Sequence, residues 1–142
     1  MSDAATPEPD VPLTTFVLNA MPFAAALGLR MISTDKTCVV ASATWRADLC
    51  TTGGSLHGGS LMAMADTIGA LAAAQHLPPG AGTTTIESKT NFLRGVTDGE
   101  LTITSTPIHA GRTTIVVQTD ITRADGKLIT RTTQTQAVLA PR

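Results

Sequence analysis

At 142 residues the chain has room for one domain with a real core, but not for two. Its net charge of −1, with basic residues scattered singly, excludes nucleic-acid binding driven by phosphate neutralisation. Only 15% of residues are charged against 42% hydrophobic, a low charge content for so small a domain that points to surface covered by other subunits.

Residues 1–11, acidic and Pro-rich at their start, read as a disordered tail, and residues 12–142 as a single domain. No secretory signal is visible, and the two cysteines, Cys38 and Cys50, make no disulfide framework, so a reduced, cytoplasmic setting is expected. From Pro12 to Leu27 apolar residues recur at helical spacing, with a break or kink expected at Pro22 and a stop at Gly28. Leu29–Ser33 and Thr37–Trp45 read as two strands around Thr34-Asp35-Lys36. A loop ending in Thr51-Thr52-Gly53-Gly54 leads to a helix from about Gly58 to His76, which Pro78-Pro79-Gly80 stops. Four stretches rich in Thr, Ile and Val then read as strands: Thr83–Arg94, Glu100–Ile108, Thr113–Arg123 and Lys127–Leu139. His109-Ala110-Gly111-Arg112 and Asp125-Gly126 are short enough to be hairpin turns. The class is α+β with one mostly antiparallel, curved sheet around a long central helix. That helix is apolar nearly all round, so it should be covered on most sides. The run Leu61–Ala74 is too short for a membrane span and carries Asp66.

The segment from Leu56 to Thr67 carries the most chemistry. His57-Gly58-Gly59 is a turn entering an apolar helix, and Asp66 is the one carboxylate on that helix. An ionised carboxylate is costly to bury unless paired or hydrogen-bonded. Free backbone N–H groups at a helix start suit an oxyanion. A carboxylate with an oxyanion site fits acyl-group hydrolysis.

Gly54-Ser55-Leu56-His57-Gly58-Gly59 followed by Ala65-Asp66-Thr67 resembles the hotdog-fold acyl-CoA thioesterases, specifically the phenylacetyl-CoA thioesterase-like group. Thr85 to Arg94 resembles that group's next strand, and His109-Ala110-Gly111-Arg112 its following turn. The resemblance implies a hotdog fold assembled as a double-hotdog homodimer, paired again into a homotetramer, that hydrolyses an acyl- or aryl-CoA without cofactor or metal. It implies Asp66 as nucleophile or general base, Gly58 N–H as the donor to the thioester oxygen, His57 shaping the turn, and Thr85 orienting water. The resemblance implies coenzyme A contacts at Asn91, Phe92, Leu93, Arg94, His109 and Arg112, with Gly59 and Gly111 also expected to bind substrate, and an apolar acyl pocket is expected at Leu61, Met62, Ile68 and Phe23. Thr51 departs from the group, which commonly has Asn or Gln there; a hydroxyl cannot make the two-ended contact of an amide.

Spacing adds a constraint. Gly58 and Asp66 on one helix are separated by about 12 Å along its axis, too far to serve one carbonyl. Pairing Gly58 of one subunit with Asp66 of another across a two-fold axis resolves this and predicts a dimer with two shared sites.

Rival readings attach to the same residues. Gly58 and Gly59 also permit close helix packing, His57 suits a structural bond to backbone, and Arg94, His109 and Arg112 suit solvated charge. Cys50, His57 and Asp66 have the residue types of a nucleophilic set, yet nothing near Cys50 marks it as activated. The histidines lack metal-ligand spacing, and the glycine pairs lack the Lys-Ser/Thr ending of a phosphate loop. A non-catalytic acyl-CoA-binding or sensing protein is the principal alternative; a dehydratase acting on hydroxyacyl thioesters is a third.

Overall fold

A computed structural model describes residues 7–141. Residues 1–6, most of the expected tail, lie outside the described residues; Asp10 caps the first helix by accepting from Leu13 N at 2.9 Å. The elements are α1 (Val11–Ala20), α2 (Pro22–Ala26), β1 (Arg30–Thr34), β2 (Val39–Thr44), α3 (Gly58–Ala74), β3 (Gly82–Phe92), β4 (Glu100–Ala110), β5 (Thr114–Arg123) and β6 (Leu128–Leu139). Pro22 does break the N-terminal helical segment, because proline starts a helix but cannot continue one.

The six strands form one antiparallel sheet in the order β1-β2-β4-β5-β6-β3. Sheet residues such as Met31, Val39, Leu101, Ile103, Ile115, Val117 and Ile121 pack as one core with Leu61, Met64, Ile68 and Ala72 of α3. This is the hotdog arrangement of a curved sheet around a central helix.

Two details differ from expectation. The helix buries one stripe only, Leu61, Met64, Ala65, Ile68, Gly69, Ala72 and Ala73, at the 3-4 spacing of a single face. Met62, Asp66 and Ala74 on the opposite side are exposed on the single chain, so an apolar sequence all round does not mean cover all round. Strand β4 also runs two residues further than expected, taking up His109 and Ala110. Pro107 has no N–H to donate, and the register shifts between Pro107 and His109, a bulge that lets pairing resume as far as Ala110↔Ile115. The turn is left to Gly111–Thr113, with Gly111 N donating to Thr114 O at 2.9 Å.

At the Asp35 turn the carboxylate accepts from Thr37 N, the Thr37 hydroxyl and Cys38 N, and these bonds, the Thr37 hydroxyl first, hold its pKa below the ordinary value. Among the described residues no helix is long and apolar enough to cross a membrane.

Candidate active site

The start of α3 is pinned by the loop before it. Thr51 N donates to Ser55 O, Leu56 N to Val96 O and His57 N to Leu49 O, all within 2.9 Å. Gly53 and Gly54 adopt positive φ, which lets this loop turn tightly enough to deliver the chain to Gly58. His57 is the N-cap: its Nδ1 accepts from Gly59 N at 2.8 Å. That bond makes Nδ1 the acceptor, so in the neutral ring the proton sits on Nε2. Ser60 N and Leu61 N both donate to His57 O. Among the described residues the Gly58 N–H has no acceptor, so it is the free donor of the first turn.

Gly58 lies in a cleft of about 390 Å³ lined by Leu56, Leu61, Phe92, Leu93, Arg94 and Gly95. The Phe92 ring closes one side; a Cβ on Gly58 would stand 3.1 Å from Phe92 Cε1. Glycine here keeps the amide reachable under the ring. Gly59 has a similar need, since its Cβ would come within 2.9 Å of His57 Nδ1.

Asp66 lies in a different cleft, of about 310 Å³, with Met62, Ala63, Thr85 and Ser88. A bulge between Thr85 and Glu87 resets the strand so that Thr85 and Ser88 both face this cleft. Thr85 Oγ1 donates to Asp66 Oδ1 at 3.3 Å and accepts from Gln134 Nε2 at 3.2 Å and Gln136 Nε2 at 2.7 Å. One donor and two acceptor sites exhaust a hydroxyl, so in this structure Thr85 supports the carboxylate and has no capacity left to orient water. Gln134 Nε2 also donates to Asp66 Oδ1 directly.

The remaining expected residues divide. Leu61 belongs to the Gly58 cleft and Met62 to the Asp66 cleft. Phe92, Leu93 and Arg94 gather beside Gly58, with Arg94 Nη1 donating to Leu128 O at 2.7 Å. Asn91 alternates with Phe92 and Thr90, which face α3 and the buried Thr132, so it points to the other face of the sheet. His109, Gly111 and Arg112 lie at the far end: Phe92 pairs with Thr130 and the start of β5 with Ala137, seven residues or about 23 Å further along β6. Thr51 is exposed on its loop and lines neither cleft. Cys50 shares a cleft with His57 and Phe23, and its thiol has Arg46 O and Gly54 O as alternative acceptors, while Asp66 is elsewhere; the Cys-His-Asp set does not form within the chain.

Gln134 and Gln136 went unread in the sequence. Thr130, Thr132, Gln134 and Gln136 are all buried on one side of β6, at the two-residue repeat that should hold apolar side chains against an apolar helix. That polar stripe was the available signal. Buried amides there need partners, and an unpaired buried polar group costs about 1–3 kcal/mol.

The Thioesterase superfamily profile matches residues 53–130, which include Gly58, Asp66, Thr85 and Phe92. The chain belongs to the thioesterase superfamily. Two proteins that bear the name "Putative esterase" are similar to this thioesterase-family chain. One, from Haemophilus influenzae, is 41% identical over 53% of this chain and 54% of its own length, so the match spans about half of that relative. The other, from Saccharolobus solfataricus, is 34% identical over 72% of each. A crystal structure of a Haemophilus influenzae thioesterase superposes with a TM-score of 0.82, at 30% identity, over 89% of this chain and 87% of that one. Family membership supports hydrolysis of a thioester in general.

Proposed function

We propose that this thioesterase-family protein hydrolyses acyl- or aryl-CoA thioesters to the free acid and coenzyme A, at sites shared between two protomers. One observation carries the reading: the free Gly58 N–H and the Asp66 carboxylate occupy separate clefts along the edge strand β3, the first beside its Phe92 end and the second beside Thr85 and Ser88. Antiparallel pairing of two β3 edges across a two-fold axis would set the 92–95 end of one protomer beside the 82–85 end of its partner. The two half-sites then meet, and the His109–Arg112 turn comes to the same side as the partner's Phe92, Leu93 and Arg94. The same pairing would cover Asp66, which is exposed on the single chain.

In that arrangement the thioester carbonyl accepts from Gly58 N–H, where the helix dipole favours the growing negative charge. A donor of this kind is worth about 3–4 kcal/mol in the transition state. Asp66 of the partner either attacks the carbonyl carbon, forming an anhydride that water then opens, or takes a proton from water that attacks it. Either way the C–S bond breaks, the thiol leaves with a proton and water's oxygen ends in the acid. The two unpaired cysteines suit a reducing, cytoplasmic compartment. A further pairing of dimers into a tetramer is part of the same reading.

Release of free thiol from a panel of acyl- and aryl-CoAs tests the proposal. Wild type should turn over at least one substrate, and Asp66→Asn should lose at least about 10²-fold in kcat while keeping its unfolding midpoint. Binding of acyl-CoA with no turnover by wild type would instead support the sensing alternative, for which the exposed Thr51 is the favouring observation.

A further inference from the structure

The side chain of Gln134 is fully buried, yet it sits on β6, separated from α3 in the sequence by three strands, and reaches between the sheet and the helix to Asp66. Its two amide hydrogens have separate destinations: one goes to Asp66 Oδ1, the other to Thr85 Oγ1 at 3.2 Å. Thr85 passes its own hydrogen to the same Oδ1 at 3.3 Å. Gln136 Nε2 donates to Thr85 at 2.7 Å and so leaves that hydroxyl no choice of direction. Every hydrogen bond to the carboxylate among the described residues therefore falls on Oδ1, and none on Oδ2.

The other end of the Gln134 amide has no partner. Its Oε1 is buried and unbonded, facing the backbone of Gly69. Turning the amide over would set a carbonyl oxygen against the carboxylate. The space is available only because position 69 has no side chain: a Cβ there would fall on Gln134 Oε1, with Thr119 Oγ1 3.3 Å away. Gly69 stands mid-helix on the buried stripe, where alanine would be the better helix former. A glycine that weakens the helix and an amide left half unsatisfied make sense together if the gain is the hold on Asp66.

We propose that Gln134 is a positioning residue of the thioesterase site: lodged in the gap left by Gly69, its amide clamps Asp66 Oδ1 directly and through Thr85, so that Oδ2 is the oxygen presented to the thioester or to the attacking water. This rests on the proposed role of Asp66. Clamping one oxygen removes rotation of the carboxylate, and misplacement of a reacting group by about 1 Å can cost 10²-fold in rate.

Gln134→Met keeps the length and volume of the side chain and removes both donors. It should lower kcat about tenfold or more, leave KM within about twofold and leave the unfolding midpoint unchanged or higher. In an Asp66→Asn background the same substitution should have no further effect on the residual rate, which a merely structural role would not predict. Gly69→Ala should reproduce the kcat loss in the Gln134 protein and add nothing to Gln134→Ala, where the space is vacated. A crystal structure of Gln134→Met should show the Asp66 carboxylate rotated from its Thr85 contact. Wild-type kcat in Gln134→Met, an equal loss in the Asp66→Asn background, or an Asp66 unmoved in the variant's structure would each overturn the clamp. If Asp66→Asn itself keeps the wild-type rate, the catalytic reading fails first, and the structural arm alone then decides whether Gln134 holds the carboxylate.

Discussion

His57 shows how one side chain can be read two ways until its partner is known. As a histidine beside two glycines it could be a base, a substrate contact or a cap. The structure gives its Nδ1 to Gly59 N, a bond that a short polar side chain can also make. Because the imidazole is exposed, little packing depends on it. His57→Ala should therefore cost about 1 kcal/mol of stability, the usual value of an N-cap, whereas His57→Asn should keep most of it. Urea unfolding of the three proteins at one fixed concentration reads this directly; equal losses for Ala and Asn would show that the ring itself, not the cap, is what α3 needs. The local layout of the candidate site was legible at this scale. His-Gly-Gly before an apolar helix with one acid marks a helix start with a free amide and a carboxylate that needs support. Gln134 was not legible in the same way, because its bond to Asp66 joins residues 68 apart in sequence. Its meaning depends on which side of β6 faces the helix and on the absence of a side chain at Gly69.

At the scale of elements, the strands announced themselves through Thr, Ile and Val, and the helices through their spacing and their prolines. Their order in the sheet did not. Hairpins place β4, β5 and β6 side by side, but nothing local says that β3 skips β4 and β5 to pair with β6 at the edge. That placement is a long-range packing outcome, and the proposed function rests on it. It leaves an eleven-residue strand with a free edge, carrying Ile86 at its bulge with 63% of its surface exposed. Natural proteins blunt an edge with charges or bulges, or pair it, and β3 carries exposed Glu87 and Lys89 beside its bulge. The proposed function pairs this edge with a second copy and covers Ile86 there. Ile86→Lys should convert the proposed dimer to monomer by sedimentation and abolish thiol release, although Asp66, Gly58 and the core are untouched. A monomeric Ile86→Lys protein with full activity would show that one chain makes a whole site.

For the whole molecule, the proposed function turns on Gly58 and Asp66 standing about 12 Å apart along one helix, a separation that a site shared with a second copy would resolve. This gives a test that needs no structure of the dimer. Gly58→Pro removes the single N–H at the first helical position, where proline is tolerated, and His57 already has the extended backbone that must precede a proline. The Phe92 ring is half exposed and can swing aside for the added atoms. Asp66→Asn removes the carboxylate. Each variant alone should be inactive, because every site in either homodimer carries one lesion. Unfolded together in equal amounts and refolded, half of the dimers should be mixed. In each of these, one site collects both lesions and the other collects neither. Activity should then return to about a quarter of wild type, counted per site. If Gly58 and Asp66 of the same chain served one substrate, every site in the mixture would still carry a lesion, and the refolded pair would stay as inactive as its components.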